Sequence, residues 1–327
     1  MKAVILLAGL GTRLRPHTYI RPKPLVNVAG KPVLGHILDG MADLEFDEII
    51  FIVGYLGEQI EKYVNEKYPH LKAKFVVQEE MRGQAHAINL AKPHIDQDVL
   101  IIFGDTIWET DWTRLQRVDS DGLIYCHEVP DPRRFGVVTL EDGFVTRFVE
   151  KPSTPISNLA VVGVYYFKAW QKLMQAIDDV LTLDIQTKGE YYLADAMQRM
   201  IEQGAKLEAE PISVWEDCGT REAILLTNRY LLGKDGKNIG DSEASHIIPP
   251  VHIAQGVVVR RSIVGPNVSI SEGAVIEDSI LRDCIISEDA QVYSAMLEWS
   301  LIGSNARVRG AFEKLNVGDS SEIGFTE

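Results

Sequence analysis

At 327 residues the chain outgrows a single hydrophobic core, which stops expanding near about 250 to 300 residues, so two domains are expected. Its 46% hydrophobic and 24% charged content is that of an ordinary globular protein, and 47 acids against 33 bases leave a net charge of −14. That field repels nucleic acid and anionic membrane, so neither is expected as a partner, and any phosphate-bearing ligand is expected to be small and held in a pocket. In the first 110 residues the apolar runs KAVILLAG, EIIFIVGY, AKFVVQ and VLIIFGD alternate with the helical stretches PVLGHILDGMADLEF, GEQIEKYVNEKY and GQAHAINLAKPHI. This alternation predicts βα units and a mainly parallel, Rossmann-like sheet flanked by helices. Ligands gather at the carboxyl ends of such strands, where Gly9 to Arg13, Gln78 and Gly104-Asp105 fall.

From about Gly122 to Phe167 the pattern turns strand-rich, with FGVVTL, GFVTRFVEKP and AVVGVYYF. A mixed helix and strand stretch follows over 189–220, then a helix near 221–232 and a polar, Gly-rich passage at 233–245 that reads as a linker. Beyond it, IVGPNV (263–268), IISEDA (285–290) and LIGSNA (301–306) repeat two apolar residues, a small one, a variable one and then Asn or Asp. Hexad-like repeats of this kind predict a parallel β-helix of roughly four windings of about 18 residues.

The stretch between Thr12 and Lys31 carries five bases, Arg13, Arg15, Arg21, Lys23 and Lys31, with no acid before Asp39. A strand that passes into Gly-x-Gly and then into bases presents a loop to something anionic. Two generic phosphate loops do not fit. The dinucleotide fingerprint needs a third glycine where Leu14 stands, and the Walker A loop needs Gly-Lys-Ser/Thr where the chain has Gly11-Thr12-Arg13.

The run AGLGTRLRPHT, followed by RPKPLVNVAGKPVL, resembles the signature of the sugar nucleotidyltransferases, the NDP-sugar pyrophosphorylases typified by glucose-1-phosphate thymidylyltransferase. GDTI (104–107), FGVV (135–138), EKP (150–152), VVGVYYF (161–167), KGEYYLADA (188–196) and WEDCGT (215–220) recur in that family's order over about 230 residues. Leu7 departs from the alanine usual there. The resemblance implies condensation of a nucleoside triphosphate with a sugar 1-phosphate to an NDP-sugar and pyrophosphate, catalysed with Mg²⁺.

Carried onto this chain, the resemblance assigns nucleotide binding to Leu7, Ala8, Gly9, Gly11, Thr12, Gln78 and Gly83. Glycines let backbone N–H groups approach the triphosphate, and Arg13 and Lys23 then neutralise the pyrophosphate leaving group. Asp105 and Asp217 are implied to hold Mg²⁺, a hard cation that often takes only one or two protein carboxylates. Glu109, Asp111 and Glu216 better fit caps and turns. Lys151 is assigned to the sugar phosphate, and Gly136, Glu150, Val161 and Tyr165 to the sugar. No protein base is required, because a phosphate monoester has a second pKa near ~6 and is already dianionic. The Gln78 amide suits a uracil or thymine edge, which favours dTTP or UTP, and glucose 1-phosphate is the sugar favoured by the resemblance.

The family also implies a left-handed hand for the carboxy-terminal β-helix. The domains expected are thus a catalytic domain at 1–232, a linker at 233–245 and a β-helix at 246–327. A solenoid end that exposes unpaired backbone suits homo-oligomerisation. Two alternatives are a bifunctional enzyme with an acetyltransferase β-helix, whose histidines are confined to His246 and His252, and a non-catalytic regulatory subunit. The amino terminus leads into loop signals rather than a leader peptide, and the apolar run at 159–167 is far shorter than the ~20 residues that cross a bilayer. Cys126, Cys218 and Cys284 are odd in number and scattered without metal-ligand spacing, as expected of reduced thiols in a cytoplasmic protein.

Overall fold

The computed structural model describes residues 1–154, 156–235 and 242–311. The chain divides into two compact units, Met1–Thr227 and Asn228–Glu327. The amino-terminal part of the first unit contains β1 (Lys2–Leu6), the short β2 (Asn27–Val28) and β3 (Lys31–Pro32), α1 (Val33–Gly40), β4 (Glu48–Val53), α2 (Gly57–Lys67), β5 (Ala73–Val77), α3 (Gln84–Ala91), β6 (Val99–Phe103) and β7 (Thr106–Glu109). The remainder adds β8 (Gly122–Glu128), β9 (Gly136–Glu141), β10 (Phe144–Glu150), β11 (Leu159–Phe167), α4 (Trp170–Thr182), α5 (Leu193–Glu202), β12 (Leu207–Pro211) and β13 (Val214–Asp217), and the boundary between the units falls within α6 (Arg221–Asp235). No helix among the described residues is long and apolar enough to cross a membrane.

Among the described residues nine strands join one sheet in the order β5-β4-β1-β6-β11-β8-β12-β10-β9. β5, β4, β1 and β6 run parallel, as helical crossovers require. Val4, Ile50, Ile52 and Ile101 are completely buried there, the signature of strands with no solvent face. Past β6 the sheet is mixed: β11 is antiparallel to β6 and β8, whereas β12 is parallel to β8 and antiparallel to β10. The parallel share is smaller than expected because short turns intervene. β9 and β10 are joined through Asp142 and Gly143, at φ 51° and 82°, a two-residue turn that only antiparallel neighbours can share. Helix α4, which the motif pattern does not mark, buries Leu173, Ile177 and Val180 in the same core as Met197 and Met200 of α5.

This topology aligns the carboxyl ends of β1, β5 and β6 on one edge of the sheet. A separate antiparallel ribbon of β7 and β13 pairs Thr106 with Asp217 and Trp108 with Trp215. Trp215 Nε1 donates to Thr106 Oγ1 at 2.5 Å and fixes that register.

The second unit is a succession of short strands: β14 (Ser242–Glu243), β15 (His246–Ile247), β16 (Val251–Ile253), β17 (Val258–Arg260), β18 (Ile263–Val264), β19 (Val268–Ile270), β20 (Val275–Glu277), β21 (Ile280–Ile286), β22 (Gln291–Tyr293), β23 (Met296–Ile302) and β24 (Arg307–Arg309). Every pairing among them is parallel. Val251 pairs with Val268 and Val258 with Val275, 17 positions apart; Val275 pairs with Gln291 and Gln291 with Arg307, 16 apart. The windings are therefore shorter than the expected 18 or so residues. Tight corners account for the difference, since a winding turns through single left-handed residues such as Asp278, Asp283 and Asp289. The Asn or Asp of each repeat sits at such a corner: Asn267, Asp289 and Asn305 have φ of 62°, 57° and 59°. These are the side chains that tolerate that conformation best after glycine. Val259, Ile270, Ile276, Leu281, Ile286 and Val292 fill a common apolar interior. Of the expected linker at 233–245, residues 233–235 end α6, 236–241 lie outside the described residues and Ser242–Glu243 form β14.

Candidate active site

The chain leaves β1 at Leu6, and Leu7 N–H still donates to Ile52 O at 2.8 Å, so the loop starts from a fixed backbone. Gly11 adopts φ 62°, and a Cβ there would lie 3.0 Å from both Thr18 Cγ2 and Lys23 Cβ. Glycine is required at that turn on both counts. Gly9, by contrast, faces open space. Thr18 Oγ1 donates to Gly11 O at 2.8 Å, and Leu14, where a dinucleotide loop would need glycine, is a buried anchor. Lys23 follows on a turn of 3-10 helix, Lys23–Leu25, between Pro22 and Pro24.

Lys23 Nζ reaches Asp105 Oδ2 at 2.6 Å. Asp105 lies between β6 and β7, and its own carbonyl accepts from Cys218 N–H at 2.9 Å, which draws the end of β13 toward it. Asp217 Oδ1 accepts from Gly219 N–H at 2.7 Å, and Arg134 lies 3.8 Å from Oδ2. Burial alone would raise the Asp105 carboxyl; Lys23, aided by Arg13, more than offsets it and holds the carboxyl below its ordinary value. Asp217 is pushed up, first by burial and then by the neighbouring Asp105 charge. Two carboxylates in mutual repulsion form an oxygen donor pair suited to a hard divalent cation. Among the described residues no three His, Cys, Asp or Glu side chains cluster in ligating geometry, so a cation at this pair would complete its shell with water and substrate oxygens.

Two cavities meet here. One, of about 400 Å³, is lined by Leu7, Ala8, Gly9, Gly11, Thr12 and Lys23, together with Gln78 and Gly83. The other, of about 450 Å³, is lined by Gly136, Glu150, Lys151, Val161 and Tyr165, with Arg13 and Asp217. Asp105, Phe103 and Gln84 line both. The sites picked from sequence are thus all brought together, in two adjoining compartments that share one carboxylate.

Residues 2–233 match the family model described as Nucleotidyl transferase. The chain belongs to the nucleotidyl transferase family. The Bifunctional protein GlmU of Methanocaldococcus jannaschii is 35% identical over 276 residues, covering 84% of this chain but 61% of its own length. This nucleotidyl transferase therefore spans less than two thirds of that relative. A glucose-1-phosphate thymidylyltransferase of Streptomyces griseus is 31% identical with 98% of each chain covered. A Bacillus anthracis crystal structure, assigned as a glucose-1-phosphate thymidylyltransferase and solved with sucrose, gives a TM-score of 0.62 at 24% identity. It covers 74% of this chain and 98% of that one, a likeness of fold.

Within this nucleotidyl transferase the sequence-picked bases divide differently from expectation. Lys23 lines the loop compartment, whereas Arg13 faces the second one, beside Asp217. Arg15 is occupied elsewhere, its guanidinium 5.0 Å from the Tyr19 ring. Lys151 adopts φ 44°, rare for a side chain with a Cβ, and its Nζ lies 3.1 Å from Glu150 Oε1 and 5.2 Å from the Tyr192 ring centre. Burial disfavours its charge, but Glu150 and Tyr192 together outweigh burial and its pKa rises. Asp111 caps a 3-10 helix through Thr113 N–H, and Glu216 meets Thr227 Oγ1 at 3.4 Å, both structural roles. Sequence reasoning missed Arg134, Phe135 and Trp215 around the second compartment, where the last two rings meet at 4.8 Å. Arg134 sits immediately before the FGVV motif, and that adjacency was the available signal.

Proposed function

We propose that this nucleotidyl transferase condenses a nucleoside triphosphate, dTTP or UTP favoured, with a sugar 1-phosphate, glucose 1-phosphate favoured, to give an NDP-sugar and pyrophosphate. The observation that carries this reading is the pair of compartments meeting at Asp105. The loop Gly9–Thr12 and Lys23 would cradle the β- and γ-phosphates, presenting N–H donors and one ammonium to the leaving pyrophosphate. Gln78 and Gly83 would face the base. Across the junction Lys151 would hold the sugar phosphate and Glu150 would accept hydrogen bonds from sugar hydroxyls.

With both substrates so held, a sugar-phosphate oxygen forms a bond to the α-phosphorus as the bond to the β-phosphate bridging oxygen breaks. Asp105 and Asp217 would hold Mg²⁺, which when bound supplies charge neutralisation between the two phosphates. The protein supplies no proton transfer, because the attacking phosphate is already ionised and its product is a stable anion. Its contribution is alignment and cationic charge from Arg13, Lys23 and Lys151, placed before the reaction starts.

The same reading treats 1–232 as the catalytic domain, 233–245 as a linker and 246–327 as a left-handed parallel β-helix. The uniformly parallel pairings and the corner residues support the β-helix. Its role is taken as oligomerisation. The test is pyrophosphate release with Mg²⁺, scanning dTTP, UTP, GTP, CTP and ATP against glucose, mannose, galactose and N-acetylglucosamine 1-phosphates. A dTTP or UTP preference with glucose 1-phosphate is expected. Silence across the grid from folded, nucleotide-binding protein would overturn the reading in favour of a regulatory subunit.

A further inference from the structure

Gln78 follows the end of β5 and is 5% exposed, yet it borders the loop compartment. A primary amide has two N–H donors and one carbonyl acceptor. Both donors are engaged: Gln78 Nε2 donates to Gly83 O at 3.2 Å and to His86 Nδ1 at 3.2 Å. A backbone carbonyl only accepts, so the amide nitrogen must face Gly83. His86 Nδ1 must then be the unprotonated ring nitrogen. Oε1 is what remains for a ligand. Gly83 lines the same compartment, and no described residue accepts from its N–H, which leaves it able to donate to a base carbonyl beside that acceptor. That pair complements the imide N–H and carbonyl of thymine or uracil and opposes cytosine, whose ring nitrogen accepts while its amine donates.

We propose that His86 is a positioning residue for base discrimination. By accepting from Gln78 Nε2 it locks the amide with Oε1 toward the base. A protonated Nδ1 would set one N–H against another and work against the orientation that Gly83 O favours, loosening the edge selected. Burial and the Arg82 guanidinium lower the His86 pKa, against the opposing Glu80 carboxylate, which keeps the ring in the accepting form. The inference rests on the reading of this compartment as the nucleotide subsite.

The test compares dTTP with dCTP at saturating Mg²⁺ and sugar 1-phosphate in the wild type, His86→Leu and His86→Asn. Leucine removes the acceptor, and an asparagine Oδ1 replaces it near the position of Nδ1. A buried amide donor left without a partner is expected to cost His86→Leu roughly tenfold of the dTTP over dCTP ratio in kcat/KM, carried by the nucleotide KM. His86→Asn should recover most of it. An unchanged ratio in His86→Leu, or a loss that His86→Asn does not repair, would overturn the proposal. The ¹⁵N shifts of the His86 ring in the unmodified protein read the tautomer independently of activity or variant folding: a protonated Nδ1 in the neutral ring also overturns it. A wild type silent with every nucleotide would remove the subsite reading itself, whereas a discriminating wild type with indifferent variants would remove this inference alone.

Discussion

Replacing Gly83 by alanine tests how rigidly this wall of the loop compartment is built. Gly83 has φ 108° and ψ 178°, a backbone region essentially reserved for glycine, and holding another residue there costs about 1–3 kcal/mol. The new Cβ would lie 2.5 Å from Tyr191 O, 2.7 Å from Tyr191 N and 2.9 Å from Tyr191 C. Those atoms cannot yield easily, because Tyr191 N–H donates to Arg82 O and Ala85 N–H donates to Tyr191 O, both at 2.9 Å. Overpacking against such a fixed neighbour adds about 1–3 kcal/mol. A combined loss of about 4 kcal/mol lowers the melting temperature by about 8–16 °C, at about 2–4 °C per kcal/mol for a unit of this size. Circular dichroism melts of wild type and Gly83→Ala provide the measurement. A melting point displaced by no more than the roughly 0.5 kcal/mol scatter of surface substitutions would refute the reasoning.

Asp105→Asn and Asp217→Asn should each lower kcat in Mg²⁺ by about 100-fold or more, and a chelator should abolish wild-type turnover reversibly. Full activity in both variants would remove the cation assignment. Lys151→Met deletes the ammonium proposed to hold the sugar phosphate, so its KM for sugar 1-phosphate should rise about 10–100-fold in initial-rate kinetics; an unchanged KM would place that phosphate elsewhere. In the second unit, Leu281→Ala empties part of a fully buried interior and should destabilise it by about 2–5 kcal/mol, read as faster hydrogen exchange across β18, β21 and β23. Protection equal to wild type would mean that the windings do not share one core.

The parts of this fold legible in the sequence are those written in short-range pattern. The βα alternation gave β1, β4, β5 and β6, and loop chemistry marked Gly11, whose positive φ admits little else. The Asn and Asp of the repeats were visible as punctuation before their left-handed corners were seen. What stayed hidden depends on partners distant along the chain. Lys23 meets Asp105 across 82 positions, and no local pattern encodes that contact or the turn of Arg13 into the second compartment beside Asp217. The mixed half of the sheet follows from insertion of β12 between β8 and β10, a pairing decided by tertiary packing. Helix α4 carries Leu173, Ile177 and Val180 at helical spacing and was readable on that ground, but it bears no chemistry that would draw notice. The Gln78 amide is legible as a residue type, and its orientation is set by Gly83 and His86.

The β7 and β13 ribbon joins two carboxylates that lie 112 positions apart, at 105 and 217. The Gly9–Thr12 loop, Lys23 and Gln78 all lie within the first 80 residues, and β5, β4 and β1 pair with one another without help from the later chain. During synthesis, then, the loop and lysine proposed to grip a triphosphate emerge from the ribosome well before the second carboxylate. The sheet also keeps a gap between β8 and β10 until Leu207–Pro211 arrives to fill it. On the proposed reading, a nascent chain that ends before Val214 lacks the second carboxylate, and turnover waits for β13.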